Sequence, residues 1–124
     1  MPVIRNADAQ VFSMHGVRFN SFARPDSGSA EMCQWRVDIP GANPGVAHRI
    51  KREELFMVAA GRPVLTIDGE VHELFPGDVA VANANSTIQL DNPGSDPASV
   101  WVTAPVGFEG ELADGTVIRP PWVQ

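Results

Sequence analysis

Apolar residues in this chain fall in short runs, cut at intervals by Gly, Pro, Asn and Asp. Within the runs, side chains alternate. From Glu31 to Ile39, Cys33, Trp35, Val37 and Ile39 share one face, and Met32, Gln34, Arg36 and Asp38 share the other. From Ser99 to Thr103, Val100 and Val102 oppose Trp101 and Thr103. A period of two is the mark of an extended strand. The same reading predicts strands over 10–15, 17–22, 47–50, 54–59, 62–67, 70–74, 79–82, 87–90 and 117–118. Residues 49–60 have a weaker helical look, but Leu55-Phe56-Met57-Val58 is short, apolar and closed by Gly61, which favours a strand. Asp68-Gly69 predicts a tight hairpin turn, because such turns need positive φ. Phe75-Pro76-Gly77-Asp78 predicts a second turn, 92–97 a loop, and Pro120-Pro121 the end of regular structure. Many short strands with turn residues between them predict an all-β, antiparallel sandwich or barrel.

The 124 residues suffice for one domain with one hydrophobic core, expected to span 1–124 with its centre over roughly 31–105. The net charge of −6 and the lack of any basic run argue against a nucleic-acid partner or an anionic membrane. No stretch approaches the roughly 20 apolar residues that a membrane-spanning helix needs. The opening residues lack the charged-then-apolar layout of a secretion signal, so a cytoplasmic protein is expected. The single Cys33 has no partner for an intrachain disulfide and reads as a small buried hydrophobe.

Two segments carry a family likeness. Residues 41–61 read GANPGVAHRIKREELFMVAAG, and residues 77–92 read GDVAVANANSTIQLDN. Together they resemble the two motifs of the cupin superfamily. The first motif runs Gly, five residues, His-x-His, three or four residues, Glu, six residues, Gly. His48, Glu54 and Gly61 keep that spacing, Ile50 stands where the second His belongs, and Gly41 lies one residue early. The second motif runs Gly, five residues, Pro-x-Gly, two residues, His, three residues, Asn. Gly77 and Asn92 keep their places, while Asn83 replaces the Pro, Asn85 the Gly and Ile88 the His. Asn is a sensible substitute at the Gly position, since it tolerates a left-handed backbone. The resemblance implies a small single-domain cupin, a jelly roll, and a homodimer paired through outer strands.

It also implies a metal held by three His and one Glu. Only His48 and Glu54 of that set remain, and isoleucine offers no lone pair to a cation. Branched hydrocarbons also dry the site and raise the cost of holding a dication there. No cofactor is therefore expected. Were a divalent transition metal held, His48 and Glu54 would be its ligands, with Gln34 or His72 as recruits. Without a metal, His48 and Glu54 form a candidate acid/base pair or a pair of polar anchors for a small molecule. Ile50, Phe56, Ile88 and Trp101 are candidate pocket lining, and Gln34 and Arg36 would join them if their face points inward. Alternation alone leaves open which face of 31–39 lines the pocket. Three functions are open: a small-molecule-binding module, a metal-independent isomerase, cyclase or lyase, and a dioxygenase-like enzyme with substitute ligands. His72 is expected at the surface and His15 in a structural role. Trp122, in a Pro-Pro-Trp-Val tail, is expected to dock, with a subunit contact as its candidate seat.

Overall fold

The computed structural model describes residues 2–124. Its strands are β1 (Gln10–Met14), β2 (Val17–Ala23), β3 (Met32–Ile39), β4 (His48–Ile50), β5 (Glu54–Ala60), β6 (Val64–Ile67), β7 (Glu70–Glu73), β8 (Val79–Ala82), β9 (Thr87–Asp91), β10 (Ala98–Pro105), β11 (Gly110–Glu111) and β12 (Val117–Ile118). Three single turns of 3-10 helix, at Asn6–Asp8, Pro25–Ser27 and Pro121–Val123, complete the described elements. All predicted strands appear. β11 was not anticipated, because Gly110-Glu111, unlike Val117-Ile118, holds no β-branched or aromatic residue to mark a strand.

The strands form two six-stranded sheets, ordered β1-β2-β3-β10-β5-β8 and β12-β11-β4-β9-β6-β7. All pairings are antiparallel. This is a jelly-roll sandwich, and its core lies between the sheets. The first sheet contributes Cys33, Trp35, Val37 and Ile39 of β3, Phe56 and Val58 of β5, and Val100 and Val102 of β10. The second contributes Ile50, Leu65 and Ile88. Alternation thus resolves one way on β3, β5 and β10, since a one-residue slip would turn this apolar set to water.

Turn chemistry follows the sequence. Asp68 and Gly69 both have positive φ (49° and 80°), as do His15 and Gly16 (54° and 78°), which joins β1 to β2. Asn85 takes the left-handed conformation at φ 72°. The motif residue Gly61 combines φ +82° with a backbone neighbour so close that an added Cβ would lie 2.7 Å from the Ala98 Cα. Among the described residues no helix is long and apolar enough to cross a membrane.

Candidate functional site

Two strands, one from each sheet, carry the site. On β4, His48 and Ile50 point to the same side, and Ile50 is wholly buried in the core. Across the ladder His48 lies directly opposite Ile88 of β9, so Ile88 faces inward beside it. On β5, Glu54 shares its face with Phe56 and Val58, all buried. Glu54 in turn pairs with the buried Ala82 of β8. The fold therefore turns His48, Ile50, Glu54 and Ile88 toward the space between the sheets.

Glu54 is the unusual member. Its Oε1 is buried and has no hydrogen-bond partner. Removal from water disfavours its charged form, and its carboxyl is pushed up to about 8. An unpaired buried carboxyl costs on the order of 1–3 kcal/mol, which makes it a rare feature of a native core.

His48 is half-buried, and its Nδ1 lies 3.1 Å from the Val46 carbonyl oxygen. A carbonyl only accepts, so Nδ1 carries the proton in that contact and the neutral ring keeps its lone pair on Nε2. The expected His48–Glu54 hydrogen bond is not formed. Each group is held by its own strand, His48 engages the backbone instead, and Glu54 is left as an isolated carboxyl.

The segment after β10 closes over β4. Gly110 pairs with Ile50 and Glu111 with Arg49. A Cβ at Gly110 would lie 3.4 Å from the His48 ring. The Lys51 amide donates to the Glu109 carbonyl at 3.1 Å. Phe108 is buried with its ring 6.1 Å from Trp35. Ion pairs of Glu111 with Lys51 and of Glu109 with Arg119 hold the strap at its borders. Sequence patterning gave no warning of this strap, whose only signal is Gly110 itself.

The other candidate lining residues lie elsewhere. Gln34, Arg36 and Trp101 alternate with the core residues of β3 and β10 and so face away from Glu54. Ile50, Phe56 and Ile88 stay inside, as core rather than as walls of an open pocket. On the outer face the Arg36 guanidinium sits 5.4 Å over the Trp101 ring and pairs with Asp38 at 3.2 Å. Partial burial draws the Asp38 carboxyl up, but hydrogen bonds from Ser99, Arg36 and Asn20 outweigh it and hold it below its ordinary value. His72 is half-buried on β7, 3.3 Å from Glu70, and remote in topology from Glu54. His15 occupies its turn. Cys33 is buried, and burial raises its thiol. Trp122 is seated in its own chain, stacked on Phe19 at 3.8 Å, rather than offered to another subunit.

The residues present do not fit the family's metal. Two of the four ligand positions are hydrocarbon, and the described residues contain no group of three His, Cys, Asp or Glu placed to share an ion. What remains can hold a proton, accept a hydrogen bond at Glu54 and accept another at His48 Nε2.

Comparison with known proteins agrees with this architecture. A family model for the cupin domain matches residues 35–104, more than half of the chain. The chain belongs to that family, and its divergence lies in the ligand positions just described. No curated protein matches the sequence. Among solved structures, the polyketide cyclase RemF from Streptomyces resistomycificus superposes with TM-score 0.79 at 12% identity, over 87% of this chain and 81% of that one. A sugar phosphate isomerase of the cupin superfamily from Silicibacter pomeroyi gives 0.67 at 19% identity, covering 95% and 92%. Salicylate 1,2-dioxygenase from Pseudoaminobacter salicylatoxidans gives 0.66 at 13% identity, covering 77% and 26%. At these identities the likeness is one of fold.

Proposed function

We propose that this cupin binds a small organic molecule between its sheets without a resident metal, using Glu54 and His48 as polar anchors. The observation that carries the reading is the buried, unpartnered Oε1 of Glu54. A ligand hydroxyl or amine would satisfy it and recover the cost of its isolation. The apolar surroundings of Ile50, Phe56 and Ile88 favour a ligand that is largely hydrocarbon. Neither of two surface concavities, of about 530 and 180 Å³, is lined by Glu54, so a ligand reaching it must part the packing around it. A net charge of −6 supports a chain with neither nucleic acid nor an anionic membrane as partner.

A second reading, a metal-independent acid/base enzyme, draws on one further observation. A carboxyl pushed up to about 8 is protonated at neutral pH yet able to release its proton there. The cyclase and isomerase neighbours make such chemistry a reasonable companion to binding. A dioxygenase-like reaction has less support, since it would need ligands that Ile50 and Ile88 do not supply.

The test is a thermal-shift screen of polyketides and sugar phosphates, the compound classes of two of the neighbours. It is run on the wild type, Glu54→Gln and His48→Ala. A hit that raises the wild-type melting temperature, and whose effect shrinks in both variants, supports the site. A hit that acts equally on all three removes Glu54 and His48 from it. Turnover of a hit compound, lowered by about two to four orders of magnitude in His48→Ala, would move the enzyme reading ahead.

A further inference from the structure

Among the described residues, Glu54 Oε1 is the single fully buried side-chain oxygen or nitrogen without a hydrogen-bond partner. Other buried polar groups are engaged within the chain. Asn20 donates to Asp38 at 2.8 Å, and Ser21 to the Trp122 carbonyl at 2.6 Å. Asn92 donates to the carbonyls of Ile39, Pro40 and Asp96. The buried cation Arg24 is bonded to Gln10, paired with Asp26 at 3.6 Å and placed 5.7 Å over the Phe12 ring. Native interiors rarely leave such a group unmet, and an isolated carboxyl oxygen points to something from outside the chain.

The chain supplies no cation to Glu54. Of its Lys and Arg side chains, only Arg24 and Arg36 are not exposed. Arg36 lies on the face of β3 turned away from the core and pairs with Asp38 at 3.2 Å. On β4, Arg49 alternates with His48 and Ile50, so it turns outward, where it donates to Asn85 at 3.2 Å. Lys51 pairs with Glu111 at 3.6 Å. His48 commits its Nδ1 proton to the Val46 carbonyl, which leaves Nε2 an acceptor. The polar atoms of the site are thus a carboxyl oxygen and an imidazole lone pair, set among Ile50, Phe56 and Ile88, with no positive group beside either.

We propose that the molecule held between the sheets is an amine with a hydrocarbon body, its N–H groups donated to Glu54 and His48; this rests on the reading that a ligand occupies that space. An amine and a carboxyl share one proton between them, whichever brings it, so the bound pair carries no net charge into the core. A carboxylate or phosphate ligand would instead set a second acidic group beside Glu54 with no cation to offset it. A lone hydroxyl has one proton to donate against two acceptors, whereas an ammonium has three. The rings of Trp35, Phe56 and Phe108 belong to the same core, and aromatic faces attract organic cations. The same inventory excludes sugar phosphates, whose recognition calls for Arg, Lys or backbone donors that this core does not present.

The test holds the hydrocarbon body constant and changes the head group. Benzylamine, benzyl alcohol and benzoate form one series, and hexylamine, hexanol and hexanoate a second. Each is titrated at fixed pH against the full chain, with melting temperature as the readout. In both series the amine is expected to raise the melting temperature most and the carboxylate not at all. Glu54→Gln is expected to weaken amine binding by about 10-fold or more, the loss of one hydrogen bond to a charged group. An alcohol or carboxylate that binds as well as its amine, with an effect lost in Glu54→Gln, overturns the amine class and leaves a ligand site at Glu54. An amine effect equal in wild type and Glu54→Gln overturns the inference, as does the lack of a shift from every member. In the latter case, hits among polyketides that still depend on Glu54 keep the binding reading standing. Should Glu54→Gln fail to fold, the carbon-13 resonance of the Glu54 carboxyl in the wild type decides. It is expected to move on adding benzylamine, and a resonance unmoved by an amine that stabilises the chain overturns the inference.

Discussion

Glu54 is surrounded by two sheets rather than by water, and it therefore keeps its proton over a range in which an exposed glutamate has lost it. Its carboxyl is pushed from the ordinary 4.5 up to about 8. Between those values the folded chain binds a proton that the unfolded chain has released. Stability is thus complete below pH 4.5 and falls as the pH rises toward 8, by about 1.4 kcal/mol per pH unit in the middle of that window. Denaturant titrations at pH 4.5 and pH 8 are expected to show this loss in the wild type and to show little of it in Glu54→Gln, whose amide does not titrate. Parallel profiles for the two proteins would place the carboxyl in contact with solvent. The sequence marked Glu54 as a site residue by its motif spacing alone. Its isolation could not be read there, because whether His48 reaches it depends on the separation of two strands in different sheets.

At the scale of elements, two contacts decide how firmly the sandwich is closed. The first is the turn at Gly61, where a positive φ coincides with the Ala98 backbone. Gly61→Ala meets both penalties and is expected to lower stability by about 2 kcal/mol or more, measured as a shift in denaturation midpoint at constant slope. The second is the C-terminal turn. The Ser21 hydroxyl donates to the Trp122 carbonyl at 2.6 Å, and the Cys33 thiol donates to the Val123 carbonyl at 3.6 Å. Trp122 and Val123 are both core residues. Deleting residues 121–124 is expected to cost about 3–5 kcal/mol, the range of losing a buried tryptophan. The deletion should also make Cys33 react quickly with a thiol reagent that the intact protein resists. A Cys33 as inert in the truncated chain as in the whole one would show that the strands alone protect it. The strands themselves were legible in the sequence because a period of two survives over five to eight residues. β11 and the seat of Trp122 on Phe19 of its own chain were not, since Gly110-Glu111 holds no β-branched or aromatic residue to mark a strand and the Trp122 contact joins residues about a hundred positions apart.

For the molecule as a whole, the family architecture has been kept while two positions of the motif at its centre carry isoleucine. Restoring imidazole at both hydrocarbon positions, Ile50→His with Ile88→His, recreates the family's donor set around His48 and Glu54. Calorimetric titration with cobalt or nickel is expected to find about one ion per double-variant chain, weakening at acid pH as the imidazoles protonate, and no such heat with the wild type. Equal binding by the wild type would sink the metal-free reading. The amino-acid sequence alone determined the strand pattern, the turns at Asp68-Gly69 and Asn85, the family likeness and the loss of two ligand positions, because each depends on residue type and local spacing. Only the tertiary structure decided that Gln34, Arg36 and Trp101 face away from Glu54, that a strap from 106–112 covers His48, and that Glu54 has no partner. Alternation separates the two faces of a strand but does not say which one the opposite sheet will cover. That choice is made when the whole set of strands buries its apolar faces together.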